Sequence, residues 1–110
     1  MIQGLLANCT VADLHRAEEW YASLLGRAVD ARPMPGLLEW HLGDSFGLQV
    51  WAEPDRAGGS TVVLTMADLD AAADRLTKAG LRHDGPEAGG GARILQLADP
   101  DGNRVILTGT

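Results

Sequence analysis

Ala98-Asp99-Pro100-Asp101-Gly102-Asn103-Arg104, running into Val105-Ile106-Leu107, decides the fold of this 110-residue chain. Pro100 presets one backbone angle, and Asp101-Gly102-Asn103 supplies residue types that accept a left-handed turn. The apolar runs Ile94 to Leu97 and Val105 to Leu107 on either side read as an antiparallel pair closed by that turn.

Working outward, the chain is built twice. Thr10-Val11-Ala12-Asp13-Leu14 and Thr65-Met66-Ala67-Asp68-Leu69 share four of five residues at an offset of 55 positions. Ala17 and Ala72 match at the same offset, and both segments run on to a glycine, Gly26 and Gly80. Repetition on this scale marks a duplicated supersecondary unit. In the first copy Leu5 to Val11 reads as a strand. Asp13 caps a helix over 13 to 25, with Leu14, Ala17, Tyr21, Leu24 and Leu25 on one face. A short strand at Ala28 to Ala31 is expected to break at Pro33, Pro35 and Gly36. Leu37 to Leu42 and Phe46 to Ala52 alternate as strands, turning at Gly43-Asp44-Ser45. Glu53 to Gly59 is a connector. In the second copy Thr61 to Met66 is a strand, and Asp68 caps a helix with Leu69, Ala72, Ala73 and Leu76 inward. Leu81 to Ala92, rich in glycine, reads as a mobile loop.

The bulk properties bound the rest. The length suits one domain with one core. Fifteen acids against nine bases give a net charge of −6, which argues against a nucleic-acid partner. No apolar run reaches the ~20 residues that span a bilayer, and no secretory signal is visible at the N-terminus. The single cysteine, Cys9, excludes an internal disulfide and suits a reducing cytoplasm. It reads as a small buried hydrophobe rather than a nucleophile. Gly89-Gly90-Gly91 lacks the Lys-Ser/Thr pair and the following helix of a phosphate loop.

Val11-Ala12-Asp13-Leu14, Ala17, Trp20-Tyr21, Leu24-Leu25-Gly26 and the closing Asp99-Pro100-Asp101-Gly102-Asn103 together resemble the vicinal oxygen chelate superfamily. That group includes glyoxalase I, bleomycin-resistance proteins, fosfomycin-resistance enzymes and extradiol dioxygenases. The resemblance covers essentially the whole chain. It implies a single α+β domain over 1–110 made of two βαβββ modules, about 1–56 and 60–110, forming a curved mixed sheet. Helices lie outside, the ligand occupies a concave half-barrel cleft, and a homodimer is expected.

Metal-dependent members of the superfamily place His or Glu on the first and last strand of each module. Those four positions fall here at Leu6, Gln49, Thr61 and Ile106. Leu6 and Ile106 have no lone pair, and Thr61 and Gln49 are weak ligands. His15 lies on the outer helix and His83 follows the second helix. Only His41, two residues from Glu39, is placed in the cleft. The expectation is no metal and no cofactor.

Strand alternation assigns side chains to faces. Leu5, Ala7, Cys9, Leu38, Trp40, Leu42, Leu48 and Val50 should face the helices, as should Val62, Leu64, Val105 and Leu107. Asn8, Glu39, His41, Gln49, Trp51, Thr61, Gln96 and Arg104 should line the cleft with Thr10, Thr65, Thr108 and apolar Leu6, Val63 and Ile106, a mixture usual in small-molecule pockets. Glu39 and His41 read either as a solvated polar pair, as a ligand or cation contact, or as an acid/base couple. Trp51 either stacks on a planar or cationic ligand or packs against a dimer partner. Arg104 is an exposed strand arginine or an anion contact. The reading is a metal-independent binding protein that sequesters a drug or metabolite, cationic or aromatic. The alternative is a superfamily enzyme, lyase, isomerase or dioxygenase, that uses Glu39 and His41 as acid/base groups or metal ligands.

Overall fold

The computed structural model describes all residues, 1–110. Two βαβββ modules follow one another. The first comprises β1 (Leu5–Val11), α1 (Leu14–Leu25), β2 (Ala31–Met34), β3 (Leu37–His41) and β4 (Phe46–Ala52). A single 3-10 turn at Pro54–Arg56 lies in the connector. The second module comprises β5 (Thr61–Met66), α2 (Leu69–Lys78), β6 (Glu87–Gly89), β7 (Ala92–Ala98) and β8 (Arg104–Gly109). Each makes its own mixed four-stranded sheet, in the orders β1-β4-β3-β2 and β5-β8-β7-β6. In both, the first strand runs parallel to the last and the rest are antiparallel.

Both helices start as their sequences dictate. The Asp13 carboxylate accepts from the Arg16 amide at 3.1 Å, and the Asp68 carboxylate accepts from the Ala71 amide at 3.0 Å. Gly26 ends α1 in the left-handed region, φ 69°. The α2 stripe of Leu69, Ala72, Ala73 and Leu76 is buried, as is the α1 stripe of Ala17, Tyr21 and Leu24. These side chains meet Cys9, Val11, Leu38, Trp40, Leu48 and Val50 of the first sheet and Val62, Leu95, Leu97, Val105 and Leu107 of the second in one continuous core. The helices therefore cover one face of the sheets and leave the other open.

Three sequence expectations are corrected. The second strand lies at Ala31–Met34 rather than Ala28 to Ala31, and it contains Pro33. It is an edge strand with an irregular register to β3, so a missing ladder donor is tolerated. The Leu81 to Ala92 stretch is not all loop: Glu87–Gly89 pairs with Ala92–Ile94 as β6. Leu5, on the same side of β1 as Cys9 and Val11, is not buried but 76% exposed at the start of its strand, beyond the cover of the core.

The quoted turn is the joint between modules. Asp99 and Asn103 are the two buried polar side chains of the chain. Asp99 accepts from the Tyr21 hydroxyl at 2.7 Å, from Asn103 Nδ2 at 2.7 Å, and from the amides of Asp101 and Asn103 at 2.9 and 2.8 Å. Asn103 donates to the Thr10 carbonyl and accepts from the Ser60 amide, both at 2.8 Å. Asp101 accepts from the Ala12 amide at 3.2 Å. One turn of the second module thus satisfies groups on β1 and α1 of the first. Arg75 of α2 adds a second tie by donating to the Ser23 and Leu24 carbonyls at the end of α1. No buried side-chain polar atom is left unpartnered.

Candidate functional site

The cross-strand registers decide what the open face can do. Asn8 lies opposite Gln49, and Gln49 opposite Glu39, so three strands present one row. The row is hydrogen-bonded with a single direction. Thr10 Oγ1 donates to Asn8 Oδ1 at 3.3 Å, Asn8 Nδ2 to Gln49 Oε1 at 3.4 Å, and Gln49 Nε2 to Glu39 Oε2 at 2.9 Å. His41 Nε2 lies 2.8 Å from Glu39 Oε1. The Gln49 amide and the His41 ring hold the Glu39 carboxyl below the usual carboxylate range, against a smaller opposing effect of burial. An ionised carboxylate only accepts, so Nε2 carries the proton and donates. The neutral imidazole then has a bare Nδ1, which makes no hydrogen bond within the chain.

The row ends on a half-buried acid whose ion-pair partner is His41 alone; the side chains are 16% and 53% exposed respectively. Asp30 accepts from the His41 backbone amide at 2.7 Å and pairs with Arg27 at 2.9 Å. That contact anchors the end of β3 to the segment before β2. Trp51 shares the face of Gln49, and its indole N–H donates to Glu53 Oε1 at 3.0 Å. The ring closes over Gly36 (φ 88°), where an added Cβ would approach the ring carbon at 3.3 Å.

The remaining expected residues lie on the second sheet. Thr61 is opposite Arg104, and Arg104 Nη2 donates to Gln96 Oε1 at 3.0 Å. Gln96 Nε2 donates in turn to Glu87 Oε1 at 2.6 Å. The eight residues therefore form two hydrogen-bonded groups, one per sheet, with Trp51 and Thr61 beside them. Thr10, Asp30, Glu53 and Glu87 also take part. Thr10 is on the cleft side by strand alternation; Asp30, Glu53 and Glu87 are left out by sequence reasoning because their roles come from cross-strand pairing and from loop carboxylates that no local pattern marks.

The registers also correct the four positions tested for a metal. Residues directly opposite each other on adjacent strands are the best placed to share an ion. The β1 neighbour of Gln49 is Asn8, not Leu6, and the β5 neighbour of Ile106 is Val63, not Thr61. Leu6 is opposite Gly47 instead. The corrected set of Asn8, Gln49, Val63 and Ile106 holds two amides and two aliphatic side chains. No group of three or more His, Cys, Asp or Glu side chains gathers anywhere in the chain. Glu39 and His41 with Gln49 do not complete a set suited to zinc or iron.

A groove of about 620 Å³ lies between the modules, lined by Leu24, Leu25, Leu42 and Phe46 of the first and by Val63 to Met66, Arg75 and Leu107 of the second. It occupies the end of β5 away from the Thr10–Ser60 contact, where the Thr10 amide donates to Ser60 Oγ at 3.2 Å. Phe46 and Val63 at its mouth are 57% and 59% exposed. No helix is long and apolar enough to cross a membrane.

Paired βαβββ modules with helices on one face and a mixed polar and aliphatic open face define a protein of the vicinal oxygen chelate class. The glyoxalase-like domain model matches residues 6–108, and the chain belongs to that family. Among solved structures, a glyoxalase/bleomycin resistance protein from Catenulispora acidiphila is 29% identical, with 97% of each chain covered and a TM-score of 0.89. TnmS3, an antibiotic-binding protein from a Streptomyces species, is 27% identical, covering 99% of this chain and 94% of its own, with a TM-score of 0.80. A bleomycin-binding protein solved with bleomycin shares the fold at 23% identity and a TM-score of 0.80, with 100% of this chain and 99% of its own covered. No curated protein matches the chain.

Proposed function

We propose that this chain is a metal-independent binding protein of the glyoxalase/bleomycin-resistance type, which sequesters a small drug or metabolite on its open sheet face. One observation carries the reading. The face gathers Asn8, Gln49, Glu39 and His41 into a preorganised hydrogen-bonded row, yet the donors for a metal do not assemble. Such a row fixes the orientation of a ligand without supplying a Lewis acid. The structural relative described as antibiotic-binding supports the same reading. The ligand is cationic or aromatic, with Glu39 as the anionic contact and Trp51 as the planar one. Gln96, Arg104 and Thr61 contact its far end.

The protein acts as a cytoplasmic homodimer. Exposed Leu5, Leu6, Phe46 and Val63 and the apolar groove between the modules support pairing with a second copy. Sedimentation equilibrium reads the mass; a monomer at micromolar concentration removes the dimer from the proposal.

Tryptophan fluorescence titrated with metal-free bleomycin and with a panel of cationic and aromatic natural products tests the binding function. Saturable quenching that is lost in Glu39→Gln and Trp51→Ala is expected. Stoichiometric binding of Zn²⁺, Ni²⁺, Mn²⁺ or Fe²⁺ that disappears in His41→Ala would overturn it. A second reading is an enzyme with Glu39 and His41 as an acid/base couple. It is favoured by the 2.8 Å contact and the unengaged Nδ1. Turnover of a bound compound, lost in His41→Gln with binding kept, would establish it instead.

A further inference from the structure

The Glu39 carboxylate has more acceptor capacity than the chain uses. An ionised carboxylate offers about four lone-pair positions. His41 takes one on Oε1 and Gln49 one on Oε2. No lysine or arginine pairs with it; its only ionic partner is an imidazole, charged only when protonated. The site therefore has two alternative states of charge. With His41 protonated the pair is neutral overall. With His41 neutral, Glu39 is an unbalanced anion on an open face.

We propose that the Glu39–His41 pair is a proton-exchanging subsite for an amidinium or primary ammonium group, where the ligand's cation and the proton on His41 compete to neutralise one carboxylate. This rests on the binding function proposed above and assigns its ligand class and regulation. The amidinium is the better fit of the two, because a planar fork of N–H donors matches the two remaining acceptor positions.

The surroundings favour competition over coexistence. His41 is the last residue of β3, and its β4 neighbour is Gly47. Leu6 lies beyond Gly47 on β1. Neither neighbouring strand presents a titratable side chain at that register. The other charged groups near the ring are Asp30, which holds the His41 backbone amide and is itself paired with Arg27, and Asp44 in the β3–β4 turn, which lines the same shallow hollow as His41. The rest of that hollow, Gln3 to Leu6 with Gly43, Ser45 and Phe46, carries no charge. Asp30 is paired with Arg27, and neither it nor Asp44 is in ion-pair contact with the ring, so Glu39 at 2.8 Å is the acid that both cations seek. Two unit positive charges within one carboxylate's reach repel each other, so binding of the ligand cation expels the proton from His41.

Benzamidine, an aromatic amidinium, and its neutral counterpart benzamide test this by isothermal titration calorimetry on the intact chain. Benzamidine is expected to bind about tenfold more tightly at about pH 8 than at about pH 5.5, releasing protons, with the release read from buffers of different ionisation enthalpy. Benzamide should show no such dependence. His41→Gln, which keeps a donor toward Glu39 but has no proton to exchange, should bind benzamidine with a flat pH profile. Glu39→Gln should lose both the preference for benzamidine over benzamide and the proton release. A flat wild-type profile, tighter binding at low pH, or a pH dependence that survives in His41→Gln would overturn the proposal. So would failure of benzamidine to bind at millimolar concentration while neutral compounds from the fluorescence panel bind, which leaves the binding function standing. Failure of every compound overturns both.

Discussion

The Tyr21 hydroxyl is buried against Asp99, a single atom that joins the first helix to the last turn. Burial, together with Cys9 and Asp99, pushes the phenol far above its usual range, so it stays a donor at every pH the protein meets. Tyr21→Phe keeps the ring against Trp20 and Trp40 and removes only that donor. The expected cost is about 1–3 kcal/mol, the range for a lost hydrogen bond to a charged, buried acceptor. A urea midpoint unchanged within error would mean that the hydroxyl is replaceable. Gly47 makes a second demand at this scale. A Cβ there would come within 2.3 Å of the Trp40 carbonyl and 3.0 Å of Leu6 Cδ2. Gly47→Ala should therefore push β3 from β4 and cost about 1–3 kcal/mol as an overpacked site does. The same urea titration reads it, and a stable variant with unaltered Glu39 chemistry would contradict the register that places Gly47 opposite His41. Neither role is visible in the sequence. Tyr21 reads as one more apolar position in a helical stripe, and Gly47 as one more strand glycine, because the partners of each lie on other elements.

At the scale of elements the two modules repeat both their helix starts and their helix ends, each helix closing over a left-handed glycine, Gly26 or Gly80, with the next amide donating to the carbonyl five residues back. Asp13 and Asp68 both cap through the amide three residues on, and both stand out in the sequence because an N-cap is a local contact. Asp13→Ala and Asp68→Ala should each lower stability by about 1 kcal/mol, and their effects should add, since the caps serve different helices. Thermal melts of the two single variants and the double variant check both statements; strong non-additivity would indicate that the helices unfold as one unit through Arg75. The C-terminus of α1 depends on that residue of α2, which donates to two of its last carbonyls. This long-range cap has no sequence signature. The same division explains the strands. β4 and β5 are legible to the residue, because alternation or β-branching marks them and their ends are turns. β2 and β6 are misplaced or missed because they are edge strands whose existence depends on pairing with β3 and β7. The site follows suit. Alternation puts Glu39, His41, Gln49 and Asn8 on one face, but only the register shows that they form one row, and that Asn8 rather than Leu6 stands beside Gln49.

Across the whole molecule, charge is arranged so that ion pairs close each module and hydrogen bonds join the two. Glu18 of α1 pairs with Arg32 of β2 at 2.6 and 2.9 Å, and Asp70 of α2 pairs with Arg93 of β7 at 2.8 and 3.0 Å. Both are two-pronged contacts, and the guanidinium in each holds its acid below the usual carboxylate range. A carboxyl whose value is lower in the folded than in the unfolded chain stabilises the fold above the unfolded value, about 3.9–4.3. That contribution fades as pH falls through the folded value. Glu39 and Asp30, also lowered, add to the effect in the same direction. The urea midpoint, at fixed protein concentration so that self-association does not enter, should therefore stay level in the carboxylate-governed range from about pH 8 to about pH 5 and fall below about pH 4. Glu18→Gln and Asp70→Asn together should make the acid limb shallower. Because both pairs are solvent-exposed, about 0.5 M salt should do part of the same. A midpoint that already falls between about pH 7 and 5 would place the loss on a histidine instead. His41 could then be separated from His15 and His83 by single substitutions to glutamine. The acid limb and the proposed proton exchange at Glu39 are thereby kept apart: the first is read in stability without ligand, the second in ligand affinity and proton release.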